Sequence, residues 1–351
     1  MTERIAIILL NTGGPDSKKA ILPYFYNYYM DPQNMPLPMG LRNIAAFFTA
    51  FTQRFITAKE TYRRLGYQSP LLQNTKAQAI SLERILNSSK QGDVHYRCYV
   101  SMTYWHPFTD EVIDELKQYE PDRVILLPMF AQKSYKTTYA QVKDWLITAK
   151  EENFAVQTSL IDQFFDLKGY IEAASAQISL SMYRISDKAR RENLPKPRIV
   201  FVARYHQARF KKAGDPFSDQ IEKSAKDIIK AIGNDYDYRV CYQPAPIFAS
   251  TIGPIIDDVL IEAAADNMPV LIFPLSYSVE NPLTMVDMQQ LYAERAEKYG
   301  VPLYERAISV GNHYDLMTAL AEKIITNDGL IKLNGYDASL KDKIFRKNSD
   351  D

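Results

Sequence analysis

The residues with the most evident chemistry fall in two segments, FVARYHQARFKKAGDPF at 201–217 and SVENPLT at 278–284. His206 ionises near neutral pH, so it can transfer a proton or deliver a metal ion. Glu280 can relay protons or hold a metal. Arg204 stays protonated at any working pH and has no lone pair, so it can neither act as a base nor bind a metal. These side chains indicate acid–base or anion-binding chemistry.

The elements that position these side chains alternate between apolar strands and amphipathic helices. This alternation predicts an α/β protein with two similar Rossmann-like halves, each a parallel sheet flanked by helices, and a ligand cleft between the halves. Strands are predicted at 4–10, 94–102, 123–128, 198–203, 238–243 and 270–274. Helices are predicted from an N-cap at Ser17 to residue 29, and at 110–119, 139–150, 215–232, 254–265, 286–299 and 313–326.

Domain boundaries are predicted from composition. The first half is expected at 1–180 and the second at 197–330. A charged stretch at 186–196, which ends in Leu-Pro-Lys-Pro, is interpreted as the crossing between the halves. The polar tail at 340–351 is expected to be disordered.

Composition argues against several classes of function. Lysine plus arginine and aspartate plus glutamate both number 42, and a net charge of zero argues against nucleic-acid binding by bulk electrostatics. Two cysteines, Cys98 and Cys241, cannot supply the four thiolates of an iron–sulfur cluster. The four histidines show no zinc spacing, so we expect neither a metal site nor a required cofactor.

The start of the chain and its hydropathy bear on location. Met-Thr-Glu-Arg leads directly into a predicted strand, without the features of a signal peptide. No run of about 18 apolar residues suggests a membrane span. A cytoplasmic location is therefore expected, and membrane association is one of two interpretations of the insertion described next.

An insertion at about 31–60 is rich in methionine and aromatic residues. It contains MPLPM at 35–39 and IAAFFTAF at 44–51. One interpretation is a core helix that covers the sheet. The other is a lip over an apolar ligand pocket, with peripheral membrane contact through residues 35–51.

The segment at 201–217 resembles the active-site strand and loop of the ferrochelatase family, which inserts iron into a porphyrin. That family reads Phe-Ser-Ala-His, a loop, then Gly-Asp-Pro-Tyr. Further similar motifs follow one another in order from about Ile5 to Ala319. They are LNTGGPDS at 10–17, DP at 31–32, LP at 37–38, YRRLGYQSPL at 62–71, MTYWHP at 102–107, LPMFAQKS at 127–134, TT at 137–138, YQ at 242–243 and GP at 253–254.

The resemblance implies porphyrin or haem as ligand and ferrous iron as a second substrate, but the residues that do the chemistry differ. Arg204 stands at the family's catalytic histidine, and Leu283 at its catalytic glutamate. Thr251 replaces a tryptophan that packs near the macrocycle. His206 and Glu280 are the available substitutes.

Other positions that match the family are expected to bind the ligand. They are Arg54, Ser69, Tyr104, Gln132, Ser134, Tyr242 and Asn281, the last at a family histidine. Arg54 and Ser69 are the expected carboxylate anchors, because a guanidinium pairs well with propionates.

Two interpretations of Arg204 remain open: it pairs with an acid such as Glu280, or it binds a propionate or phosphate of a ligand. Its charge would repel a ferrous ion.

Three hypotheses for the function of the protein follow. The favoured one is an altered homologue that binds a porphyrin, haem or related ligand without inserting iron. The alternatives are an active ferrochelatase using His206 and Glu280, and a non-enzymatic interaction protein whose cleft is closed by Ile247, Phe248 and Leu283.

Overall fold

The computed structural model describes residues 2–55, 57–88, 93–233, 235–245, 251–337 and 339–345. The chain forms two compact units. The first unit comprises Met1–Gln163 and Leu320–Asp351, and the second comprises Phe164–Ala319. A ligand cleft between the halves stays a prediction.

The first unit is built on a five-stranded sheet with the order β2-β1-β3-β4-β9. Its first four strands are parallel, and β9 is antiparallel to β4. The residues of β1 from Ile5 to Leu10 are at most 3% exposed, as expected for a central parallel strand covered on both faces. The strands are β1 (Glu3–Asn11), β2 (Val94–Met102), β3 (Arg123–Pro128), β4 (Gln157–Leu160) and β9 (Ile331–Leu333).

Helices accompany this sheet, and the fully buried Trp145 lies in the core that they share with it. The helices are α1 (Ile21–Met30), α2 (Met39–Phe55), α3 (Thr57–Arg64), α4 (Leu71–Ser88), α5 (Thr109–Tyr119), the π-helix π1 (Tyr135–Tyr139), α6 (Ala140–Glu151) and α13 (Leu340–Phe345). Ser17 lies before α1, where its Oγ accepts a hydrogen bond from the Ala20 amide. It therefore orders the turn that precedes the helix.

The second unit contains a four-stranded parallel sheet with the order β6-β5-β7-β8. Every residue of its central strand, β5, is buried. The strands are β5 (Arg198–Ala203), β6 (Tyr238–Tyr242), β7 (Val270–Phe273) and β8 (Tyr304–Arg306). The helices are α7 (Lys168–Arg191), α8 (Ala208–Lys212), α9 (Phe217–Ala231), α10 (Ile256–Ala265), the π-helix π2 (Leu283–Leu291), α11 (Tyr292–Tyr299) and α12 (Tyr314–Thr326), which ends in the first unit.

The predicted fold class is confirmed: both units are α/β, and helices flank a sheet that is parallel throughout in the second unit and parallel except for β9 in the first. The predicted strands at 94–102, 123–128 and 198–203 match the structure to the residue. Helices α4 and α7 and strands β4, β8 and β9 were not predicted.

The structure places the unit boundary elsewhere than the sequence suggested. The first stretch of the first unit ends at Gln163 rather than near residue 180. Helix α7, which follows, belongs to the second unit because it contacts α9 and β7. Residues 186–191, which the composition predicts to be part of a crossing segment, are the last turns of α7. The chain from Leu320 onward also belongs to the first unit.

The disordered tail is a second correction. Residues 340–345 form α13, and its Leu340 and Ile344 are each 1% exposed in the core of the first unit. Burial of two large aliphatic side chains offsets the entropy of ordering this short helix. The remaining predicted tail, 346–351, lies outside the described residues.

The burial of α13 predicts that Leu340→Ala lowers the free energy of unfolding by about 2–5 kcal/mol, the usual cost of truncating a core leucine. Chemical denaturation followed by circular dichroism measures this change. Lys332→Ala is the matched control, because Lys332 is exposed on the neighbouring strand β9. Equal stability of the two variants would show that α13 contributes nothing to the core.

Candidate functional site

The loop after β1 supports Ser69 in the first unit. The Ser69 amide donates to the Pro15 carbonyl at 2.8 Å, and its Oγ accepts from the Leu71 amide at 3.3 Å. A Cβ on Gly14 would lie 2.4 Å from Ser69 Oγ, so a glycine is needed for this close approach. Gly13, with φ of +82°, makes the preceding turn in the left-handed region. Ser69 is thus held where two loops meet.

Tyr104 is buried, and its hydrogen bonds connect the loop after β2 to the start of the insertion. Its hydroxyl donates to Asp31 Oδ2 at 2.5 Å and accepts from Asn34 Nδ2 at 3.2 Å. Burial, reinforced by the charge of Asp31, raises the pKa of this hydroxyl well above its ordinary value. The neutral phenol is therefore the form that the structure uses as a donor.

Residues 132–141 form a buried polar segment, which we call the polar wall. Ser134 caps π1: its Oγ accepts from the Thr137 amide at 3.2 Å and lies 2.7 Å from Thr137 Oγ1. Gln132 is 1% exposed. Two further members, Lys136 and Gln141, are also buried. Buried polar groups normally have hydrogen-bond partners, so the polar atoms of this stretch must be satisfied by the protein itself or by a bound partner.

Gln141 is a member of the wall that the sequence did not suggest. Its side chain is 3% exposed, and neither amide atom hydrogen-bonds within the described part of the chain. The available signal was its position, because it follows Thr137 and Thr138 by one helical turn and so shares their face.

Helix α2 presents large apolar side chains outward. Phe47, Phe51 and Phe55 form a continuous ladder, with ring centroids 6.4 and 4.9 Å apart along the helix. Phe48 beside them is 63% exposed, whereas the buried residues of α2 are the small Ala46 and Ala50. The hypothesis of a core helix is therefore wrong.

The ends of α2 carry its two charged residues, both arginines. Arg54 lies at the last turn, with its guanidinium 5.7 Å from the ring of Phe55. Arg42 donates to the carbonyls of Met30, Met35 and Leu37, which fixes the turn leading into the helix. Among the described residues, no helix is both long and apolar enough to pass through a bilayer.

In the second unit, polar groups gather at the carboxyl ends of the parallel strands, the edge where α/β proteins commonly bind ligands. Arg204 follows β5, and its amide donates to Ser276 Oγ at 2.9 Å. Its guanidinium lies 5.3 Å from the ring centre of Phe217. After β6, Gln243 accepts a hydrogen bond from the Tyr277 hydroxyl. We call Arg204, Gln243, Ser276 and Tyr277 the strand-end cluster.

The positive charge of Arg204 acts on this cluster. Burial raises the pKa of Tyr277 far above its ordinary value, and the charge of Arg204 partly opposes that rise. A positive potential thus reaches the centre of the cluster. This arrangement favours a ligand group that is negative or accepts hydrogen bonds, and disfavours a cation.

His206 points into an aromatic environment. It is 3% exposed, and its ring lies 5.3 Å from Phe217 and 6.3 Å from Phe210. Its backbone is fixed by Thr251, whose Oγ accepts from the His206 amide at 3.1 Å, and by the Ile252 amide. Burial among phenyl rings is the environment of a packed histidine.

Tyr242 is the last residue of β6 and lies at the same carboxyl edge of the sheet. It is 3% exposed, and a Cβ on Gly253 would lie 3.0 Å from its ring. Its amide donates to the Pro254 carbonyl at 2.9 Å. Ile247 and Phe248, expected to close the cleft, lie outside the described residues.

Glu280 belongs to an internal network. Its Oε1 accepts from Arg306 at 3.0 Å and from the Ser309 amide at 2.7 Å, and its Oε2 accepts from Thr284 Oγ1 at 2.8 Å. Burial alone would raise the pKa of this carboxyl. The Arg306 charge and these hydrogen bonds outweigh burial and lower the pKa below its usual value of 4.5. Glu280 is therefore held ionised, which opposes a role as proton carrier.

Asn281 caps the turn that leads into π2. Its Oδ1 accepts from the Leu283 amide at 2.9 Å and from the Thr284 amide at 3.4 Å. Its Nδ2 donates to the Val279 carbonyl at 3.1 Å. Leu283, at the family's glutamate position, is 37% exposed. A π-helix often marks a functional site, and this one begins at the substituted position.

The structure brings Arg204, Gln243 and Tyr277 together, and separately joins Glu280 to Asn281 through Thr284. In the first unit, Gln132 and Ser134 share the polar wall. No group of three or more histidine, cysteine, aspartate or glutamate side chains that could hold a metal ion occurs within the described ranges. The roles predicted for the ligand-binding residues stay predictions.

Three comparisons with known proteins agree with this architecture. A family model described as Ferrochelatase matches residues 4–328. A ferrochelatase of Wolbachia sp. subsp. Drosophila simulans (strain wRi) is 35% identical over 288 residues, which cover 82% of this chain and 89% of the relative. A ferrochelatase of Caulobacter vibrioides (strain NA1000 / CB15N) is 32% identical over 92% of this chain and 90% of its own length.

A solved structure also supports the fold. SirB from Bacillus subtilis with Fe3+ superposes with a TM-score of 0.52, covering 93% of this chain and 96% of its own. The identity is 11%, so this likeness speaks for the fold.

The Glu280 network predicts a stability difference that depends on pH. Glu280→Gln leaves the buried Arg306 without its carboxylate and should lower the free energy of unfolding at pH 7 by about 3–5 kcal/mol. Because the folded-state pKa of Glu280 lies below 4.5, its stabilisation is complete above that pH and is lost as the pH falls through the folded pKa. Urea unfolding between pH 7 and 3 measures this.

The control for that series is Asp187→Asn, which removes a surface ion pair with Arg191. It should cost less than about 1 kcal/mol, as exposed pairs do. A Glu280→Gln difference that stays constant down to pH 3 would contradict the lowered pKa.

Proposed function

The chain belongs to the ferrochelatase family, and from this premise we propose that it binds a porphyrin, haem or related tetrapyrrole without inserting ferrous iron. The observation that carries the proposal is Arg204 at the end of β5, where the family has a catalytic histidine. A guanidinium cannot accept the pyrrole protons or ligate iron. Its charge also opposes the approach of a ferrous ion.

The surroundings of Glu280 support the same proposal. A carboxylate that relays protons needs a pKa within reach of the working pH, and Arg306 moves this pKa away from neutrality. Leu283, at the position of the family's glutamate, has no titratable group. Neither Glu280 nor Leu283 is therefore suited to relay protons.

The alternative is an active ferrochelatase with substitute residues. It would require His206 to act as the base, and this side chain is the histidine closest in sequence to Arg204. The packing of its ring against Phe210 and Phe217 favours a structural role. A third hypothesis is a non-enzymatic interaction protein that binds no tetrapyrrole.

Two assays on the purified wild-type protein separate these hypotheses. Titration with metal-free protoporphyrin, and separately with haem, should give a saturable shift of the Soret band with at least one ligand. Anaerobic assays with ferrous iron or zinc should give metalloporphyrin at the protein-free rate. Turnover above that rate, abolished by His206→Ala, would establish the active alternative. A Soret band unchanged by protein for both ligands would establish the third hypothesis.

A restoration series tests the role of the substituted positions. Arg204→His with Leu283→Glu supplies both missing groups and should create measurable insertion. The matched control, Arg204→Gln with Leu283→Gln, removes the charge without adding a base and should remain at background. Equal activity of the two double variants would show that these positions do not limit the chemistry.

We also propose that the outward face of α2 lies against a membrane surface. This apolar face is formed by Ile44, Phe47, Phe48, Phe51 and Phe55, at a helical spacing. The helix has no acidic residue and has arginines at both ends. An amphipathic helix with exposed aromatic rings and a positive charge has the composition of an interfacial helix.

Sedimentation with vesicles of phosphatidylcholine and phosphatidylserine tests this contact. Phe48→Ser with Phe51→Ser should weaken binding by about tenfold or more, because two partly inserted rings are lost. The control, Leu180→Ser with Tyr183→Ser, removes two exposed apolar side chains from α7 and should leave binding unchanged. Equal losses in both double variants would point to non-specific adsorption.

A further inference from the structure

The last described elements of the chain lie beyond residue 328, where the match to the family model ends. We call residues 331–337 and 339–345 the C-terminal strap; they comprise β9 and α13. Strand β9 pairs with β4 in the register Thr158 with Leu333 and Leu160 with Ile331. Leu333, together with the side chains of α13 described above, belongs to the core of the first unit. The strap is therefore part of the fold.

The strap contacts the polar wall through Lys133 and Tyr135. Lys133 Nζ donates to the Ile344 carbonyl at 2.9 Å and forms a 2.6 Å ion pair with Asp162. Both side chains of that pair are at most 13% exposed. An ammonium shared between a carboxylate and the end of α13 is a strong, low-dielectric tether.

Aromatic contacts extend this tether along π1. The ring of Phe345 meets that of Tyr135 edge to face, with centroids 4.3 Å apart. Lys341 Nζ lies 4.0 Å from the centre of the same tyrosine ring. At the other end of π1, burial and a hydrogen-bonded Tyr336 raise the pKa of Tyr139 to about 12. The strap thus touches both ends of π1.

The contacts of the strap fall on both sides of Ser134. Lys133 precedes Ser134 and bonds to the Ile344 carbonyl, and Tyr135 follows it and packs on Phe345. Ser134 itself is 3% exposed, and its Oγ accepts from the Thr137 amide of π1. The strap therefore holds the two residues that flank the cap of π1.

We propose that the C-terminal strap is the positioning element of the polar wall, with Lys133, Lys341 and Phe345 as positioning residues. Its docking holds π1 and the Gln132–Ser134 turn in the geometry that meets the ligand. The effect on ligand affinity rests on the proposed function, that this wall contacts a tetrapyrrole. Linkage then requires reciprocity: a ligand that prefers the ordered wall must also stabilise the docked strap.

Hydrogen exchange of the ligand-free protein tests the mechanical part. The amides of Thr137 and Tyr139, which donate to Ser134, report on the wall. Phe345→Ala should speed their exchange by about two- to tenfold, the effect of losing one edge-to-face aromatic pair. Lys341→Met, which removes a charge and keeps an apolar stem, should give a smaller rise in the same amides. Lys332→Ala on β9 is the control and should change neither.

The outcomes are separable. Faster wall exchange in Phe345→Ala and Lys341→Met, with unchanged exchange in the β1 amides, supports the strap as a local support. Unchanged wall exchange in both variants overturns it, as does a uniform rise across the first unit in Lys341→Met, which would indicate global destabilisation. Neither result depends on any ligand.

The ligand arm uses metal-free protoporphyrin on the full-length protein. Its affinity, measured from the Soret band, should fall in Phe345→Ala only by the fraction of the variant whose wall is open before the porphyrin binds. Bound porphyrin should slow exchange of the α13 amides at 341–345. If the wild-type protein binds no porphyrin, only the proposed function is contradicted. The exchange experiment on the ligand-free protein still tests the role of the strap. Exchange of the α13 amides that bound porphyrin leaves unchanged would overturn the coupling.

Discussion

The constraint on which the rest depends is that parallel strands covered on both faces end together at one edge of their sheet. In the second unit, β5, β6 and β7 run in the same direction, so the residues that follow them must meet. The amide of Gln243 donates to the Ala203 carbonyl at 2.8 Å, and the Leu275 amide to the Val202 carbonyl at 3.0 Å. These backbone bonds bring the segment at 201–217 to the side chains of Gln243 and Tyr277. Each substitution in this cluster therefore alters an environment that three segments share.

Several polar side chains in the predicted site have a structural task. Ser134 and Asn281 each accept hydrogen bonds from amides at the start of a π-helix, and the Tyr104 hydroxyl donates to the partly buried Asp31. These bonds fix the orientation of the side chains before any ligand arrives, which lowers the entropic cost of recognition. They also explain why a substitution at one of these positions would disturb the local backbone as well as the contact surface. In this protein, positioning and recognition are tasks of the same residues.

Sequence reasoning succeeded where local pattern decides structure. Apolar runs bounded by turn residues located β2, β3 and β5, because burial on both faces leaves an unmistakable signal. It missed α7, whose Lys168–Arg191 sequence mixes small, polar and β-branched residues and is helical through its packing with α9. It missed β9 because three residues carry little periodicity and their partner lies far back in the chain. The residue types of the site were visible, but the Arg306 partner of Glu280 and the buried ring of His206 depend on tertiary packing.

The pairing of β9 with β4 also constrains the order in which the protein can be assembled. Residues 331–333 must join 158–160, so about half the chain separates the two partners. The second unit, in contrast, is one continuous stretch from Phe164 to Ala319. During synthesis it has all its strands before the first unit has its last one. During translation the second unit can therefore be completed while the edge of β4 is still unpaired. An unpaired strand edge can pair with the wrong strand or with another chain, and chaperones act on such exposed surfaces.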